Sequence, residues 1–258
     1  MKKVLIVPNP YLKEKEDTIR SVRKELGSVM SDVFDKVLAS EDSYRELEEQ
    51  ISGHDCIITL GGDGSILKIA EKAALSGKPI LGINYGGVGY LASLEKDELP
   101  LLEKLQDDDF MIEERMMLAA EVDDSFRKLV LNDVMIVKKD INVPIKLQVN
   151  DGDIYYGDGI VVATPTGSSA YSYSAGGPLL DSVSRQMVLT PVCPVGRRSS
   201  YRIYDDSAVL EIRSIRDIKD EAFFSADGSK PFIISNMSRI RIKPSEYVTR
   251  SIVLKKKR

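Results

Sequence analysis

The sequence predicts an α/β protein: an N-terminal parallel-sheet α/β domain followed by a mainly antiparallel β domain. Three observations carry that reading. Apolar strand-like runs alternate with helix-period segments through the first hundred residues. After about residue 108 short alternating segments take over. The composition, 43% hydrophobic and 29% charged over 258 residues, is that of a globular chain rather than a disordered or fibrous one. A chain of this size buries roughly 70% of its unfolded surface, enough for a full core.

Val4 to Val7 is a short apolar run ended by Pro8-Asn9-Pro10. Ile19, Val22 and Leu26 recur at helical spacing and Gly27 stands as a stop signal. A second strand is expected over Val33 to Leu38, then a helix through Tyr44, Leu47 and Ile51. Cys56 to Leu60 reads as a buried strand that meets Gly61-Gly62-Asp63-Gly64. Ile66, Ile69, Ala70 and Ala73 mark the next helix, and Pro79 to Asn84 one more strand. Such alternation gives a parallel sheet covered by helices. Asp107-Asp108-Asp109 marks either the domain junction or a helix end. Beyond it, strands are expected over Lys128–Lys138, Ile145–Val149, Ile160–Thr164, Ala208–Arg213, Arg239–Lys243 and Ser251–Leu254, with Asn150-Asp151-Gly152 as a hairpin turn. The expected domains are 1–107 and 108–258, with the last strand, about 240–258, packing back on the first domain.

A formal net charge of -4 argues against a surface built to hold nucleic-acid phosphates. The basic end Lys255-Lys256-Lys257-Arg258 reads as a solvated tail, and Arg197-Arg198 as surface cations. Cys56 and Cys193 make no disulfide framework and no metal-ligand spacing. The apolar run after Lys2-Lys3 is too short for a signal peptide, and no later run could span a bilayer, so a cytoplasmic location is expected, with no membrane partner. His54, the one histidine, is read as a surface residue, and Cys56 as core.

Gly61-Gly62-Asp63-Gly64-Ser65 falls at the carboxyl end of a strand, the edge where ligands bind in open α/β sheets. Glycines allow close approach of an anion, and the helix that follows offers free N–H groups and the positive end of its dipole. Asp63 either caps that helix or works, by holding Mg²⁺ or accepting a proton from an attacking hydroxyl. A P-loop is absent, because Lys68 lies inside the helix. Gly87-Val88-Gly89-Tyr90-Leu91-Ala92 satisfies the loose dinucleotide pattern but lacks a clean helix start, so a glycine-rich ligand-facing loop is the better reading. In GDGIVVATPTGSSAYSYSAGGP, residues 157–178, hydroxyls crowd among glycines and tyrosines, a surface suited to a sugar or base. Asn132-Asp133 interrupts an apolar strand. It is either a bulge or internal polar pair, or a ribose-recognising pair in which Asn132 donates and accepts while Asp133 accepts. Asp227-Gly228 reads as a hairpin turn, although Ser225 and Asp227 could still face a site.

GGDGS at 61–65, INYGGVGYL at 83–91, LND at 131–133 and the 157–178 stretch together resemble the NAD kinase family in order and approximate spacing. The similarity runs from VPNP at 7–10 to Asp227-Gly228. The 157–178 stretch is the specific part, since GGDG alone is shared with phosphofructokinases and diacylglycerol kinases. The resemblance implies transfer of the γ-phosphoryl group of ATP, or of polyphosphate, to the 2′-hydroxyl of the adenosine ribose of NAD, forming NADP. It also implies Mg²⁺, held through the phosphates and by Asp63 if by any protein group, and a homodimer or homotetramer.

Carried over by position, Asp63 matches the catalytic aspartate, and Gly61, Gly62, Gly64 and Ser65 the phosphate-facing loop. Tyr90 stands where the family usually has Phe beside the ligand. Asn132 and Asp133 match an Asn-Glu pair that binds ribose and adenine, with Asp here one methylene shorter. Asp158 matches an aspartate at the nicotinamide end. Thr166, Ser169, Ala170, Tyr171 and Ser174 match the adenine-side wall, Ser169 replacing a usual Thr. Residues 191–206 lack the family's histidine segment, and Gly87 takes the place of a common basic residue, so the donor stays open between nucleotide and polyphosphate. The alternatives are a catalytically silent NAD/NADP sensor and a GGDG kinase with another hydroxyl acceptor.

Overall fold

A computed structural model describes residues 1–87, 89–123, 125–196, 200–215, 221–235 and 238–254; Arg197-Arg198 and the basic tail lie outside the described residues. The chain divides into two compact units, Met1–Glu114 with Thr249–Arg258, and Arg115–Val248.

In the first unit the expected alternation forms a parallel sheet. Strand β1 (Lys3–Pro8) leads to α1 (Lys15–Leu26), which buries Ile19, Val22 and Leu26 on one face and ends at Gly27, where φ is 59°. Only glycine enters that left-handed conformation without steric cost. β2 (Met30–Val33) follows, then α2 (Glu41–Ser52), opened by a reciprocal Ser40–Ser43 capping box. β3 (Cys56–Gly61), buried at every position, runs into α3 (Asp63–Leu75), and β4 (Ile80–Asn84) and the short β5 (Leu94–Glu95) complete the set. The order is β2-β1-β3-β4, parallel throughout, with β5 beside the carboxyl end of β4. The last strand of the chain pairs in parallel with β4 at Ser251↔Ile80, and Ile252 and Leu254 join this unit's core.

Two expectations change here. The second strand lies at 30–33 rather than 33–38, because the Lys3↔Met30 register sets it against β1 immediately after the Gly27 stop; Phe34 then turns inward, 2% exposed. His54 is buried, not on the surface. Nδ1 lies 2.6 Å from the Gln50 carbonyl oxygen and Nε2 3.1 Å from Asp32, so it is a satisfied strand-entry residue.

The second unit is antiparallel. It contains the inner part of β6 (Met111–Val122), β7 (Phe126–Val130), β8 (Asp133–Lys138), β9 (Ile145–Val149), β10 (Asp153–Gly157) and β11 (Gly159–Ala163). A single helical turn, α4 (Tyr171–Ser174), precedes β12 (Met187–Val192), β13 (Arg202–Tyr204), β14 (Leu210–Ser214), β15 (Ala222–Ala226), β16 (Phe232–Ile234) and β17 (Ile240–Val253). One sheet has the order β13-β12-β11-β8-β15-β16, while β10-β9-β14-β17 forms another ladder and β6 pairs β7. Asn150, with φ of 53°, opens the β9–β10 hairpin. The stretch 128–138 is two strands broken at Leu131-Asn132, and the separate segments expected at 239–243 and 251–254 are one long strand.

Alternate residues of both sheets fill the core, where Phe126, Phe224 and Phe232 meet with ring centroids 5.0–5.5 Å apart. Such aromatic contacts add to the area each ring buries. Phe224 is fully buried and Phe232 only partly. Phe224→Ala should therefore lower stability by about 3–5 kcal/mol, and Phe232→Ala by clearly less. Urea unfolding midpoints of the two variants against the parent test the ranking.

Candidate functional site

In the first unit the polar apparatus gathers at the carboxyl end of β3 and β4. Asp63 is the first residue of α3, with Gly62 as its N-cap. A side chain there cannot cap its own helix end in the usual way, and no cap bond from Gly62 is available. The Asp63 carboxylate instead accepts the Tyr90 N–H at 2.9 Å and the Leu91 N–H at 3.1 Å, one on each oxygen. Both bonds come from a loop more than twenty-five residues away along the chain, and they fix the plane of the carboxylate.

That loop is braced by Asn84 at the end of β4, which is 4% exposed. Its Oδ1 accepts from Gly86 N–H at 3.0 Å, and its Nδ2 donates to the Gly87 carbonyl at 2.7 Å and lies 3.1 Å from the Glu95 carboxylate. Tyr85 N–H donates to the Gly61 carbonyl at 3.1 Å. The glycines here are of two kinds. A Cβ on Gly61 would sit 2.2 Å from Ser65 Oγ and 3.1 Å from Asn9 Cβ, so the packing there is tight and a side chain would have to move Ser65. A Cβ on Gly62 or Gly64 would meet nothing within 4 Å, and neither has positive φ. Nothing in this unit requires glycine at those two places, whereas an anion approaching the helix N-terminus does. Tyr90 is 69% exposed beside this loop, and Ser65 N–H closes the turn on the Gly62 carbonyl at 2.9 Å.

In the second unit the break between β7 and β8 is wedged against the 164–168 turn. Thr164 Oγ1 donates to the Leu131 carbonyl at 2.5 Å and accepts from Gly167 N–H at 3.0 Å, and Thr164 N–H donates to the Asn132 carbonyl. A Cβ on Gly167 would lie 2.0 Å from the Asn132 carbonyl oxygen, so the two segments touch backbone to backbone. Ser168 is buried by bonds to Pro165 and Leu180. Asn132 Oδ1 and Thr166 Oγ1 are buried without a hydrogen-bond partner among the described residues. An unpaired buried acceptor or hydroxyl costs about 1–3 kcal/mol, so both are open valences that a ligand could fill. Beyond them Ser169 and Ala170 are half-buried, Tyr171 and Ser174 are exposed, and Ser172 is locked inward to Thr190 at 2.8 Å.

Asp158 stands apart. It precedes β11, whereas Thr164 follows that strand, so the two are about 20 Å apart at ~3.3 Å per residue. Its carboxylate is paired with Lys138 Nζ at 2.7 Å.

Asp227 reads from the sequence as a turn residue that could face a site, and its carboxylate accepts N–H groups from Leu131, Asn132 and Asp133 at 2.7, 2.6 and 3.3 Å. No local pattern in the sequence encodes that reach across 94 to 96 residues. Asp133 is 6% exposed, and no described residue hydrogen-bonds its carboxyl. Burial first, and then the charge of Asp227, push the Asp133 carboxyl up to about 7. Asp227 is also raised by burial, with the Leu131 and Asn132 N–H groups pulling the other way.

Among the described residues no three or more His, Cys, Asp or Glu side chains cluster as a metal site. Asp63, whose oxygens each keep capacity beyond one N–H bond, fits a cation held mainly by substrate phosphates, the usual habit of Mg²⁺.

The comparisons agree on one family. A model described as ATP-NAD kinase N-terminal domain matches residues 4–110, and one described as ATP-NAD kinase C-terminal domain matches 127–254. The chain is 34% identical to an NAD kinase of Caldanaerobacter subterraneus subsp. tengcongensis, over 99% of this chain and 95% of that one. It is 34% identical to an NAD kinase of Acetivibrio thermocellus, over 94% and 91%. Its fold matches yeast NADH kinase solved with NADH, TM-score 0.82 at 20% identity, over 98% of this chain and 83% of that one. It also matches an NAD kinase from Archaeoglobus fulgidus solved with ATP, TM-score 0.76 at 24% identity, over 98% and 93%.

The folded-state value of Asp133 lies above its unfolded value, so its neutral form is favoured by folding. Its contribution is therefore neutral below about pH 4 and turns increasingly destabilising as pH rises towards 7. Asp133→Asn should gain stability relative to the parent across that window, levelling off above it on the order of 2–4 kcal/mol. Denaturant unfolding of both proteins from pH 5 to 8 reads the difference; a gap that does not widen with pH would show an ordinary carboxyl.

Proposed function

This chain belongs to the NAD kinase family, and from that premise we propose that it transfers the γ-phosphoryl group of ATP to the 2′-hydroxyl of the adenosine ribose of NAD, forming NADP. The single observation that carries the chemistry is the Asp63 carboxylate, fixed by two backbone N–H groups at the N-terminus of α3 beside glycines that leave open space. Membership across both domains sets aside the phosphofructokinase-like and lipid-kinase-like readings.

Phosphoryl transfer asks a protein for alignment and charge neutralisation more than for covalent chemistry. In this reading the loop Gly61, Gly62, Gly64 and Ser65 faces the donor phosphates with its N–H groups and the α3 dipole. Asp63 orients the ribose hydroxyl and takes its proton. Asn132 and Asp133 hold the ribose and adenine, and Thr166, Ser169, Ala170, Tyr171 and Ser174 form the adenine-side wall, with Tyr90 beside the ligand. Asp158 takes the nicotinamide end. Mg²⁺, when bound through the phosphates with Asp63 in reach, supplies charge neutralisation for the donor. The first unit is thus the donor and catalytic-loop domain, and the second the NAD-binding and oligomerisation domain of a homodimer or homotetramer. Polyphosphate remains a second donor to test, because Gly87 leaves a basic position vacant. Among the described residues no helix is long and apolar enough to cross a membrane, and we place the reaction in the cytoplasm.

A coupled assay for NADP, run with Mg²⁺ and ATP and then with polyphosphate, tests the reaction; NAD binding in calorimetry without product would instead mark a sensor. Asp63→Asn should lose about 10²–10⁴-fold in turnover while still binding NAD. Parent-level turnover in that variant removes Asp63 from the mechanism.

A further inference from the structure

Asp227 and Gly228 are the two central residues of the β15–β16 turn, with φ of 50° and 63°, and Ser229 N–H donates to the Ala226 carbonyl at 3.0 Å. Two left-handed central residues make this a type I′ turn, for which Asn-Gly serves at least as well as Asp-Gly. The turn therefore accounts for a small residue tolerant of positive φ and not for a charge. The charge is costly where it stands. Asp227 faces the buried Asp133 carboxyl on β8, and burial disfavours ionisation of both. The other charged group facing it is Lys128 on β7, whose Nζ donates to the Ala226 carbonyl at 3.3 Å; Ser225 and Ser229 bond each other's turn and are neutral.

What the carboxylate does provide is a grip on three consecutive N–H groups, with Asp227 N–H returning a bond to the Asp133 carbonyl at 2.9 Å. An amide at the same place has one acceptor oxygen, and it would set an NH₂ donor against at least one of those N–H groups. The gripped segment is the break between β7 and β8 that presents the unpartnered Asn132 Oδ1 and the Asp133 carboxyl.

We propose that Asp227 is a positioning residue for the NAD nucleoside: it holds the 131–133 bend so that Asn132 and Asp133 meet the ribose and adenine in one fixed geometry, acting through the backbone. This rests on the assignment of Asn132 and Asp133 to NAD given above.

The test is Asp227→Asn, which keeps the turn and removes the grip. KM for NAD should rise at least tenfold, kcat should change less than about threefold, and KM for ATP should stay within twofold, because the loss is of substrate positioning and not of chemistry. In a double-mutant cycle with Asn132→Ala, the second change should add little to the first, since both act on one contact. The pH at which KM for NAD bends should also move to lower values, because the neighbour that helps raise Asp133 is gone. A turn-only role predicts unchanged KM for NAD, or an equal loss with both substrates, and additive effects in the cycle; any of these overturns the proposal. If Asp227→Asn does not fold, Asp227→Glu, which keeps the anion but displaces it by a methylene, is measured in the same way. A rise in KM for NAD with kcat retained supports the proposal, and an unchanged KM overturns it. Failure of the parent enzyme to make NADP would overturn the underlying assignment, whereas an active parent with an indifferent Asp227 variant would overturn this inference alone.

Discussion

Beside the polar loops of each unit an aspartate carboxylate gathers backbone N–H groups from a segment remote along the chain, and the polar surfaces depend on these clamps. Asp63 takes the N–H groups of Tyr90 and Leu91; Asp227 takes those of Leu131, Asn132 and Asp133. Neither clamped segment has a regular ladder to satisfy its N–H groups, because one is an irregular loop and the other a break between strands. A bond to an ionised acceptor is worth about 1.5–3 kcal/mol net, more than a neutral one, so a single carboxylate can substitute for a missing stretch of sheet. Backbone shape that would otherwise be loose becomes a fixed surface without adding a hydrophobic core beneath it.

Most of the architecture was readable because local and global demands agree. The run Cys56–Leu60 is apolar at every position, and a strand covered on both faces requires that. Ile19, Val22 and Leu26 line one helical face, and Gly27 alone explains where the helix ends. The misplacements fall where pairing outweighs local pattern. Met30–Val33 is a strand because Lys3–Ile6 offers it a register, although Met30-Ser31-Asp32 has little strand character. The long last strand hid as two segments because Pro244 to Glu246 breaks the apolar alternation without breaking the extended backbone.

The candidate site was legible in its residue types and not in its geometry. Glycines and hydroxyls at 61–65 and 164–169 announce close approach, but only coordinates separate Gly167, pressed on backbone, and the tightly packed Gly61 from Gly62 and Gly64, where a Cβ would meet nothing. Asn132-Asp133 looked like an interruption within one strand; Asn132 lies in the break between two strands and Asp133 begins the second. Asp227 looked like turn chemistry because it is turn chemistry; its carboxylate does a second job that depends on a partner 95 residues earlier. His54 was misread for a related reason, since its neighbours Gln50 and Asp32 lie on a helix end and a different strand.

The Asp at position 133 acquires a physical meaning from this arrangement. Its carboxyl belongs to the 131–133 bend, where the residue is 6% exposed and next to a second carboxyl. Burial and that neighbour hold it near neutrality at about 7, so protonated and ionised forms coexist around physiological pH. A protonated carboxyl both donates and accepts, whereas an ionised one only accepts. The protonation state of Asp133 therefore decides which hydrogen bonds the position can offer, and couples that choice to the proton concentration. Asp227, itself raised by burial against the pull of the Leu131 and Asn132 N–H groups, adds to the upward push on Asp133.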